Sequence, residues 1–136
     1  MKVVYSPYQV FFSTFFGGPI AAVYLLWKNF EALGKESLAR RTALWGSVLV
    51  LATVAILPAL PDKFSPYLLP AIFGGLAMVI ARQYQMKKEA IRDSNEYRFA
   101  SFWRVVAVAV LSLAATFVLI IVYLVILWSL GLTKLD

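Results

Sequence analysis

The carboxylate side chains are the first groups in this sequence that could act as acids, bases or metal ligands. Glu31 and Glu36 lie in one short polar segment, and Asp93 lies in another. Paired carboxylates work as acid and base only where their surroundings separate their pKa values. Here they alternate with lysine and arginine, a pattern typical of a solvated surface. The sequence has no histidine and no cysteine, so the commonest general base and all thiolate chemistry are absent.

No glycine-rich phosphate loop and no nucleophile motif accompanies these carboxylates. The sequence therefore predicts a protein that is not an enzyme and that has no metal site and no cofactor. The alternative is a membrane enzyme acting on lipid. Its catalytic group would have to come from a loop residue such as Asn29, Glu31, Asp93 or Asn95.

The composition indicates a membrane protein. Hydrophobic residues make up 62% of the chain and charged residues 15%, against about 45–50% and about 25% in soluble proteins. A soluble domain this small could not hide so much apolar surface from water. The formal net charge is +6, but the basic residues lie between hydrophobic runs. That placement favours contact with anionic lipid headgroups over binding of nucleic acid.

Four uncharged runs are long enough to be considered as membrane spans, since a helix needs about 20 apolar residues to cross a bilayer. They are Gln9–Trp27, Thr42–Pro61, Ser65–Ala81 and Val105–Thr133. With their expected extensions, the helices cover approximately residues 8–33, 37–60, 66–92 and 94–133. We therefore predict an all-α fold with a single transmembrane domain over residues 1–136, built from four helices as two hairpins.

The loops at 28–41 and 82–104 carry ten basic residues, and the opposite side carries three, Lys2, Lys63 and Lys134. The positive-inside rule then places both loops in the cytoplasm and both termini outside. The overall plan resembles that of many small bacterial inner-membrane proteins, which implies a location in the inner membrane of a bacterium. The ten predicted cytoplasmic basic residues are Lys28, Lys35, Arg40, Arg41, Arg82, Lys87, Lys88, Arg92, Arg98 and Arg104.

Several short motifs predict where helices begin and end. Ser6–Pro7 fits an N-cap followed by proline at the first helical position. Gly34 fits a helix C-cap, with the next helix beginning near Glu36. Asp93 and Glu96 fit a capping-box variant, so the fourth helix is expected to begin near Asp93.

Two segments of the chain share an order of features that predicts a tandem parallel repeat. A Ser-Pro-Tyr motif precedes Phe-Gly-Gly in each segment, although the spacing differs by two residues. Small residues let helices approach closely in lipid, and proline kinks a helix. The predicted helix-packing or hinge residues are Gly17, Gly18, Pro19, Gly74 and Gly75.

None of the four runs contains Asp, Glu, Lys, Arg or His, whereas these residues mark proton relays and ion pathways in membranes. This favours a non-enzymatic interaction protein, such as an immunity protein against a membrane-targeting toxin or a small subunit of a membrane assembly. It would contact the lipid bilayer and bind a protein partner through its membrane helices. The alternative is a channel or transporter protomer that works as a homo-oligomer, since broken helices can line a cavity.

Overall fold

The computed structural model describes residues 2–56, 68–85, 88–95 and 97–131. Within these ranges the chain is mostly helical, with one short two-stranded sheet. The elements are β1 (Lys2–Val4), α1 (Pro7–Gly17), α2 (Pro19–Ala32), α3 (Glu36–Ile56), α4 (Leu68–Tyr84), α5 (Lys88–Arg92), β2 (Tyr97–Phe99) and α6 (Phe102–Ser129).

Local sequence accounts for the start of α1 and the end of α2. The Ser6 hydroxyl accepts from the Gln9 N–H at 3.2 Å, and the Gln9 side chain accepts from the Ser6 N–H at 2.9 Å. This reciprocal pair is a capping box, and it confirms the predicted cap at Ser6. Gly34 has φ 76°, and the Lys35 N–H donates to the Phe30 carbonyl at 2.8 Å. That pattern confirms the C-cap at Gly34, after which α3 begins at Glu36.

The first apolar run folds as a helical hairpin, which replaces the single helix, kinked at Pro19, that was expected over residues 8–33. α1 ends at Gly17, and α2 begins at Pro19, with Gly18 between them at φ 84° and ψ −170°. This backbone region is essentially restricted to glycine. The two helices have 11 and 14 residues, so each is shorter than the roughly 20 residues that a span requires.

Contacts of the N-terminal residues show that the α1–α2 hairpin ends beside the point where it begins. β1 runs parallel to β2, with Lys2 opposite Tyr97 and Val4 opposite Phe99. The Tyr5 N–H donates to the side chain of Asn29, near the end of α2, at 2.8 Å. We call the end of the molecule that contains β1, β2 and Asn29 the basic end. Sequence analysis expected the N-terminal residues and the 82–104 segment on opposite sides, and the strand pairing corrects that expectation.

The three longer helices run through the molecule in alternating directions. α3 leaves the basic end, since the Lys35 ammonium just before it donates to the Tyr84 carbonyl at 2.7 Å. α4 returns to that end at Tyr84, and α6 leaves it again beside α1. Near the far end the Tyr123 hydroxyl donates to the Ala55 carbonyl at 3.3 Å. The hairpins α2–α3 and α4–α6 therefore share one direction.

This arrangement does not fit the repeat expected from the Ser-Pro-Tyr motifs. That repeat would align α1 with α4, but α1 starts at the basic end and α4 finishes there. The second Ser-Pro-Tyr motif lies outside the described residues. Any internal symmetry would instead relate α2 to α4 and α3 to α6.

The ends of the third and fourth predicted helices also differ from expectation. α4 ends at Tyr84, and α5 is a separate short helix. α6 begins at Phe102 because Ser101 caps it, its hydroxyl accepting from the Arg104 N–H at 3.1 Å. β2 occupies the segment in which the fourth helix was expected to begin, and Glu96 lies outside the described residues.

The hydrophobic core lies in the half of the molecule nearest the basic end. It includes Val10, Leu25, Ala77, Ala81 and Val105, contributed by four helices. α3 and α6 are long and apolar enough to cross a membrane, and only 17% of the most hydrophobic window of each is buried. α4 is apolar but has 17 residues. The two long helices thus direct most of their apolar side chains away from the core.

Candidate binding clefts

Three amide side chains hold the basic end together, and we call Gln9, Asn29 and Gln85 the amide latch. Asn29 is fully buried, and its Nδ2 donates to the Tyr5 carbonyl at 2.8 Å and to the Gln85 Oε1 at 2.7 Å. The Gln85 Nε2 donates to the Leu26 carbonyl at 3.0 Å. The Gln9 Nε2 donates to the Ala100 carbonyl at 2.8 Å. The latch therefore joins α1, α2, the end of α4, the residue after β1 and the segment between β2 and α6.

The four residues that were considered as catalytic groups for lipid chemistry lie apart in the structure. Asn29 is not in an open loop, because it lies inside α2 with its amide fully bonded to the chain. Glu31 is exposed two residues further along the chain, and Asp93 is exposed beside Arg92 at 3.8 Å. Asn95 is also exposed. The structure does not bring these four side chains into one site.

Four hydroxyl groups lie near the tip of the α1–α2 hairpin and on the adjoining part of α6. The Ser13 hydroxyl donates to the Val105 carbonyl at 3.5 Å, and the Thr116 hydroxyl donates to the Ser112 carbonyl at 2.8 Å. Thr14 is fully buried, and its hydroxyl has no hydrogen-bond partner within the described part of the chain. The Ser13 hydroxyl therefore bonds across to α6 and not within α1.

A polar cleft of about 630 Å³ lies between α2 and α6 at the basic end. Lys28 and Glu31 line it and form an ion pair at 3.9 Å, and Arg104 lines its other wall. Burial raises the pKa of the Tyr5 phenol in this cleft, Tyr24 adds to the rise, and Arg104 opposes it. The paired charges and the protonated phenol describe a solvated surface more than an acid–base pair.

An apolar groove lies between α3 and α4, with α2 as its floor, and has a volume of about 470 Å³. Its lining residues fall within Pro19–Phe30 of α2, Leu38–Leu49 of α3 and Phe73–Tyr84 of α4. The polar members are Arg41, Thr42 and Tyr84, which lie toward the basic end. Trp45 lines the groove and is two-thirds exposed. The groove thus has apolar walls and a positively charged mouth.

The predicted packing residues occupy different environments. A Cβ on Gly17 would lie 2.9 Å from the Cα and the carbonyl oxygen of Ala109, so α1 and α6 are in close contact there. A Cβ on Gly74 would lie 3.1 Å from the Phe11 ring. Gly18 and Pro19 form the turn of the hairpin, and a Cβ on Gly75 would meet nothing within 4 Å.

The sequence did not single out Gly46, although a Cβ there would lie 2.5 Å from the Val23 side chain across the α2–α3 contact. A single glycine in an apolar helix gives a weak signal, and the position of α2 decides its role. The sequence analysis also did not identify a structural role for Gln9 or Gln85.

All basic residues within the described ranges lie at the basic end. Lys28 pairs with Glu31 and lies 4.5 Å from the centre of the Trp27 ring. Arg82 lies 5.8 Å from the centre of the Tyr8 ring. The other described members are Lys35, Arg40, Arg41, Arg92, Arg98 and Arg104, and the backbones of Lys2 and Lys88. Lys87, Lys63 and Lys134 lie outside the described residues.

The described residues include no cluster of three or more acidic side chains that could hold a metal ion. Comparison with protein-family models, with curated proteins and with solved structures finds no match to this chain.

Proposed function

We propose that this chain is an integral membrane protein that crosses the bilayer with α3, α4 and α6, while the α1–α2 hairpin inserts part-way. The observation that carries the proposal is the outward direction of the apolar side chains on α3 and α6, whose most hydrophobic windows are only 17% buried. A core helix of a soluble protein would bury most of such a window. Exposed apolar surface of this extent needs lipid or another apolar surface beside it.

The charge distribution supports an orientation with the basic end in the cytoplasm. Every basic residue in the described ranges lies at that end, as the positive-inside rule requires. The segments 28–41 and 82–104 then remain cytoplasmic, as the sequence predicted. Lys2–Val4 join them on that side, and the end of α6 faces the other side.

Within this membrane the chain acts as a non-enzymatic interaction protein. The amide latch and the buried Ser13 hydroxyl bond to the chain's own backbone and hold the helices together. The long outward faces of α3 and α6 are left for contact with lipid and with the membrane helices of a protein partner. A larger membrane assembly and a membrane-targeting toxin are the two kinds of partner that fit a small protein of this type.

One observation favours a second function, that of a channel or transporter protomer. The α1–α2 hairpin is built from two half-length helices that meet at Gly18, beside buried hydroxyls. Half-helices that meet within the bilayer line the binding sites of some transporters. Gly18 and the buried hydroxyls beside it line neither the polar cleft nor the apolar groove, which weighs against this function for a single copy.

Reconstitution of the full chain distinguishes the two functions. The proposal first requires that the protein stay in the membrane fraction after alkaline extraction, and release into the supernatant would contradict membrane insertion. We then expect liposomes containing the purified chain to retain entrapped ions and small solutes as well as protein-free liposomes do. Sustained release from the protein-containing liposomes would overturn the interaction function and support the transport function.

A further inference from the structure

We infer that the apolar groove between α3 and α4 holds one acyl chain of an anionic phospholipid, with the lipid phosphate against Arg41. The lipid comes from the leaflet on the side of the basic end. This inference rests on the membrane placement proposed above, and it names the ligand of a surface that the placement exposes to lipid.

The depth of the groove matches one leaflet. Its lining runs over 12 residues on each of three helices, Pro19–Phe30, Leu38–Leu49 and Phe73–Tyr84, and a helix rises about 1.5 Å per residue, or about 16 Å over such a stretch. The hydrocarbon core is about 30 Å thick, so one leaflet contributes about half of that. The groove floor ends at Pro19, where α2 begins. A partner helix would run the full thickness of the bilayer, whereas an acyl chain fills one leaflet.

The positive charge at the mouth of the groove has no acidic partner in the part of the chain that the structure describes. Arg41 is exposed, and no ion pair within the described residues involves it. Lys35 lies at the same end, where its ammonium is held on the Tyr84 carbonyl at 2.7 Å. By contrast, Lys28 and Arg92 each have an acidic neighbour. Two cations beside an apolar groove complement a phosphate whose tail lies in that groove.

Aromatic side chains mark the level at which the headgroup would lie. Trp45 and Tyr84 both line the groove, and both are more than half exposed. Tryptophan and tyrosine prefer the headgroup region of a bilayer because each joins an apolar ring to a polar group. Below them the lining is apolar, with Leu49, Phe73 and Leu76 among its members. The groove therefore changes from polar to apolar in the same direction as a phospholipid does.

The inference is tested by native mass spectrometry of the delipidated full chain in detergent, titrated with phosphatidylglycerol or with phosphatidylcholine of the same acyl chains. We expect tighter binding of phosphatidylglycerol. Arg41→Ala should weaken that binding by about fivefold, the effect of one basic residue near an anionic lipid, and should leave phosphatidylcholine binding unchanged. Arg40→Ala is the matched control, since Arg40 is an exposed neighbour that does not line the groove. The Arg40→Ala substitution should leave the binding of both lipids unchanged.

A second variant tests the tail. Ile80 lines the groove and is 37% exposed, so Ile80→Trp adds bulk without a buried clash. This substitution should weaken the binding of both lipids. If that variant does not fold, the Arg41 and Arg40 pair decides alone. Equal losses in Arg40→Ala and Arg41→Ala, or equal binding of the two lipids, would overturn the inference.

Two other results would replace the lipid by a different occupant. Displacement of phosphatidylglycerol by glycerol phosphate would indicate a soluble anion site. A change of oligomeric state in Ile80→Trp, with lipid binding intact, would indicate a contact between copies. A chain that resists alkaline extraction but shows no lipid preference loses only this inference and keeps the proposed function.

Discussion

Gly17 lies where α1 packs against α6, and a Cβ at this position would stand 2.9 Å from two backbone atoms of Ala109. Backbone atoms cannot move aside as the end of a flexible side chain can. We therefore expect Gly17→Ala to lower the free energy of unfolding by about 1–3 kcal/mol, the usual cost of adding bulk to a packed core. Unfolding by sodium dodecyl sulfate in mixed micelles, followed by circular dichroism, measures the change.

Gly75 provides the matched control for this substitution. It lies within α4 and a Cβ there would meet nothing within 4 Å. Gly75→Ala should leave stability unchanged or raise it by up to about 1 kcal/mol, because alanine favours helix more than glycine does. Equal destabilisation by the two substitutions would contradict the close contact between α1 and α6.

Asn29 shows what the sequence can and cannot reveal about a single residue. It follows Trp27 and Lys28, so it resembles a polar residue just beyond a span. In the structure it is fully buried and bonded to Tyr5, which is 24 positions away, and to Gln85, which is 56 positions away. Buried amides must be bonded, but the sequence does not show which distant groups are near. Its role depends on contacts that exist only after α2, α4 and β1 have come together.

At the level of elements, the sequence predicted the helix caps but not the turn that depends on distant contacts. The cap at Ser6 and the C-cap at Gly34 depend on hydrogen bonds within five residues, so the sequence predicts them. The Gly-Gly-Pro segment fits both a kinked span and a hairpin turn, since glycine and proline occur in both. The hairpin is chosen by distant contacts, such as that of Gln9 with Ala100. The same reasoning explains why β2 was missed, because three residues gain strand structure only by pairing with β1.

The hairpin depends on the backbone of Gly18, which has φ 84° and ψ −170°. Residues with a Cβ are strained there by roughly 1–3 kcal/mol. We expect Gly18→Ala to destabilise the protein by that amount and to increase hydrogen exchange of the amides near the α1–α2 turn, measured by mass spectrometry. Gly34→Asn is the control, because Gly34 is a helix C-cap with φ 76° and asparagine tolerates that position. A Gly18→Ala variant as stable as the control would contradict the hairpin turn.

At the level of the whole molecule, the charge asymmetry was predictable but its consequence for the path of the chain was not. The sequence grouped the basic residues of segments 28–41 and 82–104 on one side, and the structure brings the described members of both segments to one end. The sequence-based prediction assumed one membrane crossing for each apolar run, so it placed Lys2 on the side opposite to these two basic segments. Because the first run turns back at Gly18, both of its ends lie at one end of the molecule, and Lys2 lies at the basic end.

The path of the chain makes a prediction about accessibility across the membrane. The chain has no native cysteine, so single cysteines can be placed at Lys2 in β1, at the exposed Asn95 and at Leu130, which is 67% exposed at the end of α6. With three crossing helices and a hairpin, a membrane-impermeant maleimide should label positions 2 and 95 from the same side and position 130 from the other. With the basic end in the cytoplasm, intact cells should label only position 130, and inverted vesicles should label the other two. Four crossings would instead place positions 2 and 130 together, so shared labelling of these two in intact cells would restore the four-span arrangement and contradict the hairpin.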